Sequence, residues 1–172
     1  TDDYTPWPLQ SSETMPLDFG GKAAEHLSFF ASHVIPFCES EYGFASSTEK
    51  RVIGGYSLGG LFSLYAAVNT DFFGTVLSCS SSLWYPGFLD YLKEHPFKAA
   101  HPKLYMSVGD QEGTTATNLT ADQTSNTIAL KDFYEPKFQA GDFNFTLEEG
   151  NHGNDISGRA WRAVEWVEEN CK

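Results

Sequence analysis

The stretch GGYSLGGLF, residues 54–62, places four glycines around Ser57, between a short apolar run and a longer one. Glycine weakens strands and helices by roughly 0.5–1 kcal/mol relative to alanine, so this concentration needs a structural reason. Residues 55–59 fit the pattern G-x-S-x-G, in which a serine occupies a strained turn between a strand and a helix. We therefore predict that a Cβ at the flanking glycines would collide with the neighbouring strand or helix.

The rest of the chain alternates between strand and helix patterns. Short apolar runs predict strands over 51–56, 75–79 and 103–108 and around Phe143, Phe145 and Leu147, and helical spacing predicts helices over 58–68, 88–94 and 124–138. A first helix begins at Lys22 and should kink or end early at Pro36, and a closing amphipathic helix carries Ala160, Trp161, Val164, Val167 and Cys171. Residues 1–21 are expected to lie irregularly on the surface. This alternation predicts an α/β fold, with a mostly parallel sheet covered by helices on both faces and a single domain over residues 1–172.

The composition and net charge of the chain argue against some classes of binding partner. The chain has 172 residues and a formal net charge of −12, which argues against nucleic acid or an anionic membrane surface. No apolar stretch approaches the length of a membrane span and no signal peptide is visible, which favours a cytoplasmic location.

The chain has three cysteines, Cys38, Cys79 and Cys171, and no two of them form a CxxC pair. We expect buried small hydrophobes in a reducing compartment, although a disulfide stays open.

A serine hydroxyl needs a base that takes its proton, and the sequence offers five histidines. His26 and His33 precede the serine on one predicted helix, and His95 and His101 each stand before a proline at an element boundary. His152 lies in a glycine- and asparagine-rich loop between the last strand and the last helix, where a base could reach back over the sheet. His152 is therefore the predicted base.

The acid that orients the base should follow the third predicted strand, where Asp110 and Glu112 both occur. Asp110 could instead cap the loop by accepting backbone N–H bonds, and the longer side chain of Glu112 suits a loop that must reach His152. Metal binding is a rival use of these carboxylates, but no cluster of His or Cys completes a site, so no metal is expected.

Four ordered blocks of the sequence resemble a known family. They are DYTPW (3–7) followed by FGG (19–21), VIGGYSLGGLFSLYAAVNTDFFGTVLSCSSSLWYPGFLDYL (52–92), LYMSVGDQE (104–112) and EEGNHG (148–153). Together they resemble the esterase D and enterochelin-esterase-like branch of the α/β-hydrolases. The resemblance implies a three-layer α/β-hydrolase fold and a serine hydrolase that cleaves carboxylic esters of small molecules, without metal or organic cofactor.

The resemblance also implies roles for individual residues. Ser57 corresponds to the nucleophile, His152 to the general base and Glu112, at the family's offset from the strand, to the orienting acid. The backbone N–H of Leu58 corresponds to one oxyanion donor. Trp84 and Tyr85 would line the substrate cleft; the alternative is an aromatic pair that packs on the sheet edge.

Two further expectations concern the neighbours of strand 51–56 and the alternative to catalysis. The resemblance implies that the first strands of the fold, and the loop with the second oxyanion N–H, precede Thr1, so that strand 51–56 gains further neighbours from preceding residues or a partner chain. The alternative to an enzyme is a non-catalytic α/β-hydrolase-like binding module that keeps the glycine-rich turn for structural reasons. The sequence does not indicate which ester is the substrate or what the oligomeric state is.

Overall fold

A computed structural model describes residues 1–13, 15–43, 47–114 and 119–171 of the chain. Its strands are β1 (Pro8–Leu9), β2 (Phe19–Gly20), β3 (Val52–Tyr56), β4 (Thr75–Cys79), β5 (Lys103–Gly109) and β6 (Phe143–Glu148). Its α-helices are α1 (Ala23–Phe29), α2 (Ile35–Tyr42), α3 (Leu58–Asn69), α4 (Phe88–Glu94), α5 (Gln123–Tyr134) and α6 (Ile156–Asn170). The predicted alternation of helix and strand is confirmed from α1 to α6.

The main sheet has the order β3-β4-β5-β6 and every neighbouring pair is parallel. In a parallel sheet the carboxyl ends of all strands meet at one edge, and the loops that follow them are neighbours. The loops after β3, β5 and β6 contain Ser57, Glu112 and His152 respectively. Within the described residues β3 is an outer strand of this sheet, and the expectation of further strands beside it stays a prediction.

Helices cover both faces of the sheet, as predicted. Side chains alternate along the strands, so that Val76, Leu104 and Met106 join the large core cluster on the face covered by α3 and α5. Leu77 and Tyr105 point the other way and pack with Ala163 of α6 in a second, smaller cluster. The sheet is therefore the middle of three layers.

Proline alters the first helix without ending it. Between α1 and α2 lies one π-helical turn, Phe30–Val34, and Pro36 occupies the first turn of α2. A proline lacks the N–H that an α-helix interior needs, and the π-helical turn just before Pro36 is where the regular hydrogen-bond pattern is interrupted. Of the two expected outcomes, a kink or an early end, the early end is wrong, because the helix continues to Tyr42.

The amino-terminal segment is more ordered than its composition indicates. β1 and β2 form a small antiparallel pair, and the side chains of Met15 and Phe19 belong to the main core. Thr5 is fully buried and its hydroxyl accepts the backbone N–H of Gly21 at 3.1 Å. The prediction of an irregular surface segment is therefore wrong for these residues.

The closing helix buries only part of the predicted apolar set. Val167 packs against the smaller core cluster, whereas Trp161 and Val164 are 60% and 41% exposed. The buried residues of α6 are Arg159 and Ala163, one helical turn apart, so the buried face is rotated from the predicted one and includes an arginine.

The three cysteines are free thiols, and only Cys79 is buried; Cys38 and Cys171 are partly exposed. The expectation of three buried cysteines holds for one of them.

Among the helices of the described ranges, none is long and apolar enough to cross a membrane.

Candidate active site

The glycine-rich turn places Ser57 between β3 and α3 in a strained backbone conformation. Ser57 has φ 59° and ψ −121°, a region that side-chain-bearing residues rarely adopt. The turn is fixed by the Ser57 N–H, which donates to the carbonyl of Cys79 at 3.0 Å, and by the Ser57 carbonyl, which accepts the N–H of Ser82 at 3.1 Å. The serine side chain is thereby held above the carboxyl end of the sheet.

Two of the glycines are required by close contacts, and a third is not. A Cβ on Gly55 would lie 2.3 Å from the carbonyl carbon of Gly59, and one on Gly60 would lie 2.1 Å from the hydroxyl of Ser81. A Cβ on Gly59 itself would meet nothing within 4 Å. The predicted collision is therefore confirmed at Gly55 and Gly60 and is wrong at Gly59.

Ser57, His152 and Glu112 form a continuous hydrogen-bonded chain. The Oγ of Ser57 lies 3.0 Å from His152 Nε2, and His152 Nδ1 lies 2.7 Å from Glu112 Oε2. With a neutral imidazole protonated on Nδ1, the serine hydroxyl donates to Nε2 and the Nδ1–H donates to the carboxylate. The His152 side chain is 46% exposed, while that of Glu112 is fully buried. The three side chains stand in the order that proton transfer from a serine hydroxyl to a base oriented by an acid would require.

Glu112 is buried but stays an effective hydrogen-bond acceptor. Its Oε1 accepts the backbone N–H of Gly109 at 2.7 Å and the hydroxyl of Ser80 at 2.7 Å. Burial raises the pKa of the Glu112 carboxyl, but the hydrogen bonds from His152, Ser80 and Gly109 favour the ionised form and leave the pKa below its ordinary value. The group therefore fits the role of an ionised acid.

Asp110 lies in the same loop but does not reach the imidazole. Its Oδ1 accepts the backbone N–H of Gly150 at 2.8 Å, which is the capping role that the sequence left open for it. The structure thus brings Glu112 to His152 and uses Asp110 to join two loops.

An apolar cavity of about 370 Å³ opens beside Ser57 and His152. Its apolar wall includes Met15, Leu17, Phe19, Leu58 and Trp84. Leu58 is the first residue of α3, so its N–H has no acceptor within the helix and stands next to the serine. Trp84 lies in the wall of this cavity, and its contact with a substrate stays a prediction. Three of the other wall residues, Met15, Leu17 and Phe19, come from the amino-terminal segment, which the sequence predicts to lie on the surface.

Tyr85 does not line this cavity, contrary to the expectation. Its side chain is 1% exposed, and its hydroxyl donates to the carbonyl of Trp7 at 2.6 Å. Its ring meets Phe19 edge to face, with 5.6 Å between the ring centroids. A phenol can be buried when its hydroxyl finds an acceptor, so Tyr85 belongs to the core beneath the cavity.

Sequence reasoning missed two further groups at the site. Ser82 has its Oγ 3.3 Å from the Oγ of Ser57. Arg159 donates from Nη1 to Glu112 Oε1 at 2.8 Å. The sequence carried no signal for the second, because its apolar pattern does not place Arg159 on the buried face of α6, which only the structure shows.

The other histidines lie elsewhere. His26 packs against Phe62, with 4.8 Å between ring centroids, and the Nδ1 of His95 lies 2.7 Å from the carbonyl of Tyr91. Across the described ranges, no group of three or more His, Cys, Asp or Glu side chains could hold a metal ion.

The parallel sheet between two helical layers, with a serine on a strained turn after one strand and a histidine after the last, defines an α/β-hydrolase fold. The family described as "Putative esterase" matches residues 1–153, and the chain belongs to this family. The description of the family supports hydrolysis of an ester bond.

The chain is also similar to individual proteins and solved structures. The chain is 28% identical over 170 residues to "Uncharacterized protein YbbA" of Bacillus subtilis, covering 96% of this chain and 68% of that protein. Among solved structures it resembles the siderophore hydrolase EstA from Aspergillus nidulans, with a TM-score of 0.75 and 22% identity over 99% of this chain. It also resembles the enterobactin esterase FES from Shigella flexneri, with a TM-score of 0.68 and 21% identity over 85% of this chain. The chain spans 66% of EstA and 39% of the Shigella esterase, and at these identities the likeness shows the fold.

Proposed function

We propose that this protein is a serine hydrolase that cleaves carboxylic esters through an acyl-enzyme. The observation that carries the proposal is the unbroken contact from Ser57 Oγ through the His152 ring to Glu112, over distances of 3.0 and 2.7 Å. Membership of the esterase family supports the reaction class. The strained turn at Ser57 adds support, because such strain persists where the surrounding structure enforces it, as at catalytic sites.

The chemistry proceeds in two halves. In the first, the Oγ of Ser57 attacks the carbonyl carbon of the ester while Nε2 of His152 takes the hydroxyl proton. The tetrahedral intermediate collapses, the C–O bond to the alcohol breaks, and the imidazolium returns its proton to the departing alkoxide. In the second half, a water attacks the acyl-serine with His152 again as base, which releases the carboxylic acid and regenerates Ser57.

Glu112 and Leu58 act on the charges that develop during these steps. The carboxylate of Glu112 holds the imidazole in the Nδ1–H tautomer and stabilises the imidazolium. The backbone N–H of Leu58 donates to the oxyanion of the intermediate. One such donor supplies part of an oxyanion hole, and a second N–H comes in this family's fold from another loop.

The cavity indicates the kind of ester. Its wall beside Ser57 is mostly apolar and carries the Trp84 ring, which suits an acyl or aryl group without charge. The chain's net charge of −12 disfavours anionic substrates at long range. Siderophore esters belong in the substrate set to be tested, since EstA is a siderophore hydrolase and the Shigella protein is an enterobactin esterase.

Labelling with a fluorophosphonate probe tests the proposal directly, because only a serine activated by a base reacts with it. The expected result is one adduct, on Ser57, together with turnover of uncharged aryl and acyl esters. Ser57→Ala should lose both the adduct and the turnover, and Ser63→Ala, a change of a buried serine in α3, serves as the matched control. Unchanged hydrolysis by Ser57→Ala would exclude this mechanism, and absence of any adduct on Ser57 would favour a binding module.

A further inference from the structure

Arg159 of α6 is a fully buried cation beside the candidate acid. Its side chain and that of Glu112 are both 0% exposed, with Nη1 2.8 Å from Oε1. The remaining contacts of the guanidinium are to Ser80 Oγ at 3.2 Å, Tyr56 OH at 3.2 Å, the carbonyl of Glu149 at 3.1 Å and the carbonyl of Asn151 at 3.3 Å. Arg159 lies beyond residues 1–153, the part of the chain that the family match covers.

These contacts act on both partners of His152. On one side, Arg159 occupies Oε1 of Glu112, which leaves Oε2 directed at His152 Nδ1. On the other side, its Nη2 donates to two carbonyls of the loop that carries His152. A single planar guanidinium has the donors for this arrangement, whereas an ammonium is a compact point charge.

The positive charge of Arg159 also compensates the negative charge of the buried Glu112 carboxylate. The charged groups that face Glu112 are Arg159 from α6 and His152 from the loop after β6. A third titratable group, Tyr56 at the end of β3, donates its hydroxyl to the backbone carbonyl of His152 at 2.8 Å. A buried carboxylate without a cation would be stabilised by a proton held on the adjacent imidazole. An imidazole that is already protonated cannot accept the proton of Ser57.

We propose that Arg159 is a positioning residue of the esterase site, whose guanidinium balances the Glu112 carboxylate and fixes the His152 loop so that Glu112 Oε2 stays directed at His152 Nδ1. This inference rests on the proposed function. Arg159 does not touch Ser57 or the cavity, and it acts only through Glu112 and the loop.

The test is the pH dependence of kcat/KM for ester hydrolysis in four proteins: wild type, Arg159→Met, Arg159→Lys and Arg162→Met. Arg159→Met keeps the length of the side chain and removes its charge. We expect the acidic limb of its pH profile, the fall of kcat/KM at low pH, to move to higher pH by about one unit. The loss of activity should therefore be larger at pH 6.5 than at pH 9. Arg159→Lys keeps the charge, and its limb should stay near that of the wild type even if its plateau is lower.

Arg162→Met is the matched control. Arg162 lies one turn along the same helix, is partly exposed and pairs with Glu148 and Asp155, so its loss should leave the limb in place. An unmoved limb in Arg159→Met would overturn the inference, and so would an equal shift in Arg159→Met and Arg159→Lys.

A second comparison covers the case in which Arg159→Met does not fold, since an unpaired buried carboxylate destabilises a protein strongly. In a Glu112→Gln background the carboxylate that Arg159 balances is absent, so adding Arg159→Met should leave the acidic limb of the kcat/KM profile in place and remove only what the two loop contacts contribute, because residues that act through each other are not additive. A limb that still moves by about one pH unit in that background would contradict the inference. Ser57→Ala separates the two proposals. If Ser57→Ala hydrolyses esters like the wild type, the proposed function fails. If Ser57→Ala is inactive and the acidic limb of the Arg159→Met profile does not move, only the role of Arg159 is removed.

Discussion

The carboxylate of Asp110 accepts the backbone N–H of Gly150 at 2.8 Å and so ties the loop after β5 to the loop that carries His152. Glu112, two residues further on, reaches the imidazole itself at 2.7 Å. Gly150 has φ +99°, a conformation that glycine adopts readily and other residues rarely. Two neighbouring carboxylates therefore have separate tasks, one in loop structure and one at the imidazole.

This division predicts opposite outcomes for the two amide substitutions. Glu112→Gln keeps the shape of the side chain but removes the charge that stabilises the imidazolium, and kcat should fall by about 10³–10⁴-fold. Asp110→Asn keeps an oxygen that can accept the Gly150 N–H, so kcat should change little and unfolding free energy should fall by less than about 1 kcal/mol. Steady-state kinetics and urea unfolding measure both quantities, and the reverse pattern would assign the acid to Asp110.

The glycines around Ser57 provide a second matched pair. Gly55→Ala places a methyl group against the Gly59 backbone, where no side chain can move aside, and we expect a loss of about 3 kcal/mol or more in unfolding free energy. Gly59→Ala enters open space within α3 and should stabilise the protein by about 0.5–1 kcal/mol, the usual gain of alanine over glycine in a helix. Equal destabilisation of both variants in chemical denaturation would contradict the geometry of this turn.

Trp84 and Tyr85 are adjacent in sequence, but their substitution should affect different measurements. Trp84→Ala removes a wall of the cavity, and KM for uncharged aryl esters should rise about tenfold, equivalent to about 1.4 kcal/mol of binding. Tyr85→Phe removes only the hydrogen bond to Trp7, which should cost about 1 kcal/mol of stability without changing KM. A rise in KM for Tyr85→Phe as large as that for Trp84→Ala would count against the assignment of the cavity wall.

The lowered pKa of Glu112 predicts a pH dependence of stability. Since its native pKa lies below the ordinary value of 4.5, the folded state binds fewer protons than the unfolded state in that range. The carboxylate therefore contributes its full stabilisation above about pH 4.5, and this contribution disappears as the pH falls through the native pKa. Urea unfolding between pH 3 and pH 7 should show this loss in the wild type and a flatter profile in Glu112→Gln. Parallel profiles would contradict the prediction, because the other carboxyls are the same in both proteins.

The order of the strands and helices followed from local patterns, because a buried parallel strand and a strongly apolar helix such as α3 are visible in any short window. Ser57 and His152 were also accessible to sequence reasoning, since each stands in a distinctive loop beside a strand end. Which side of a helix or loop is buried depends instead on partners far away in the chain. For this reason the sequence misplaced Tyr85, overestimated the constraint on Gly59 and overlooked Arg159.

The three members of the hydrogen-bonded chain come from distant parts of the sequence, which has a consequence for the order of folding. Ser57 and His152 are separated by 95 positions, and Glu112 and His152 by 40. No hairpin or isolated helical turn can bring them together; they meet only after the parallel pairing of β5 and β6, and non-local pairings of this kind form slowly. During refolding from denaturant, we expect the circular dichroism signal of the helices to recover before Ser57 becomes reactive towards a fluorophosphonate. Labelling would then mark the last step of assembly. Simultaneous recovery of the two signals would show that the chain folds in one concerted step.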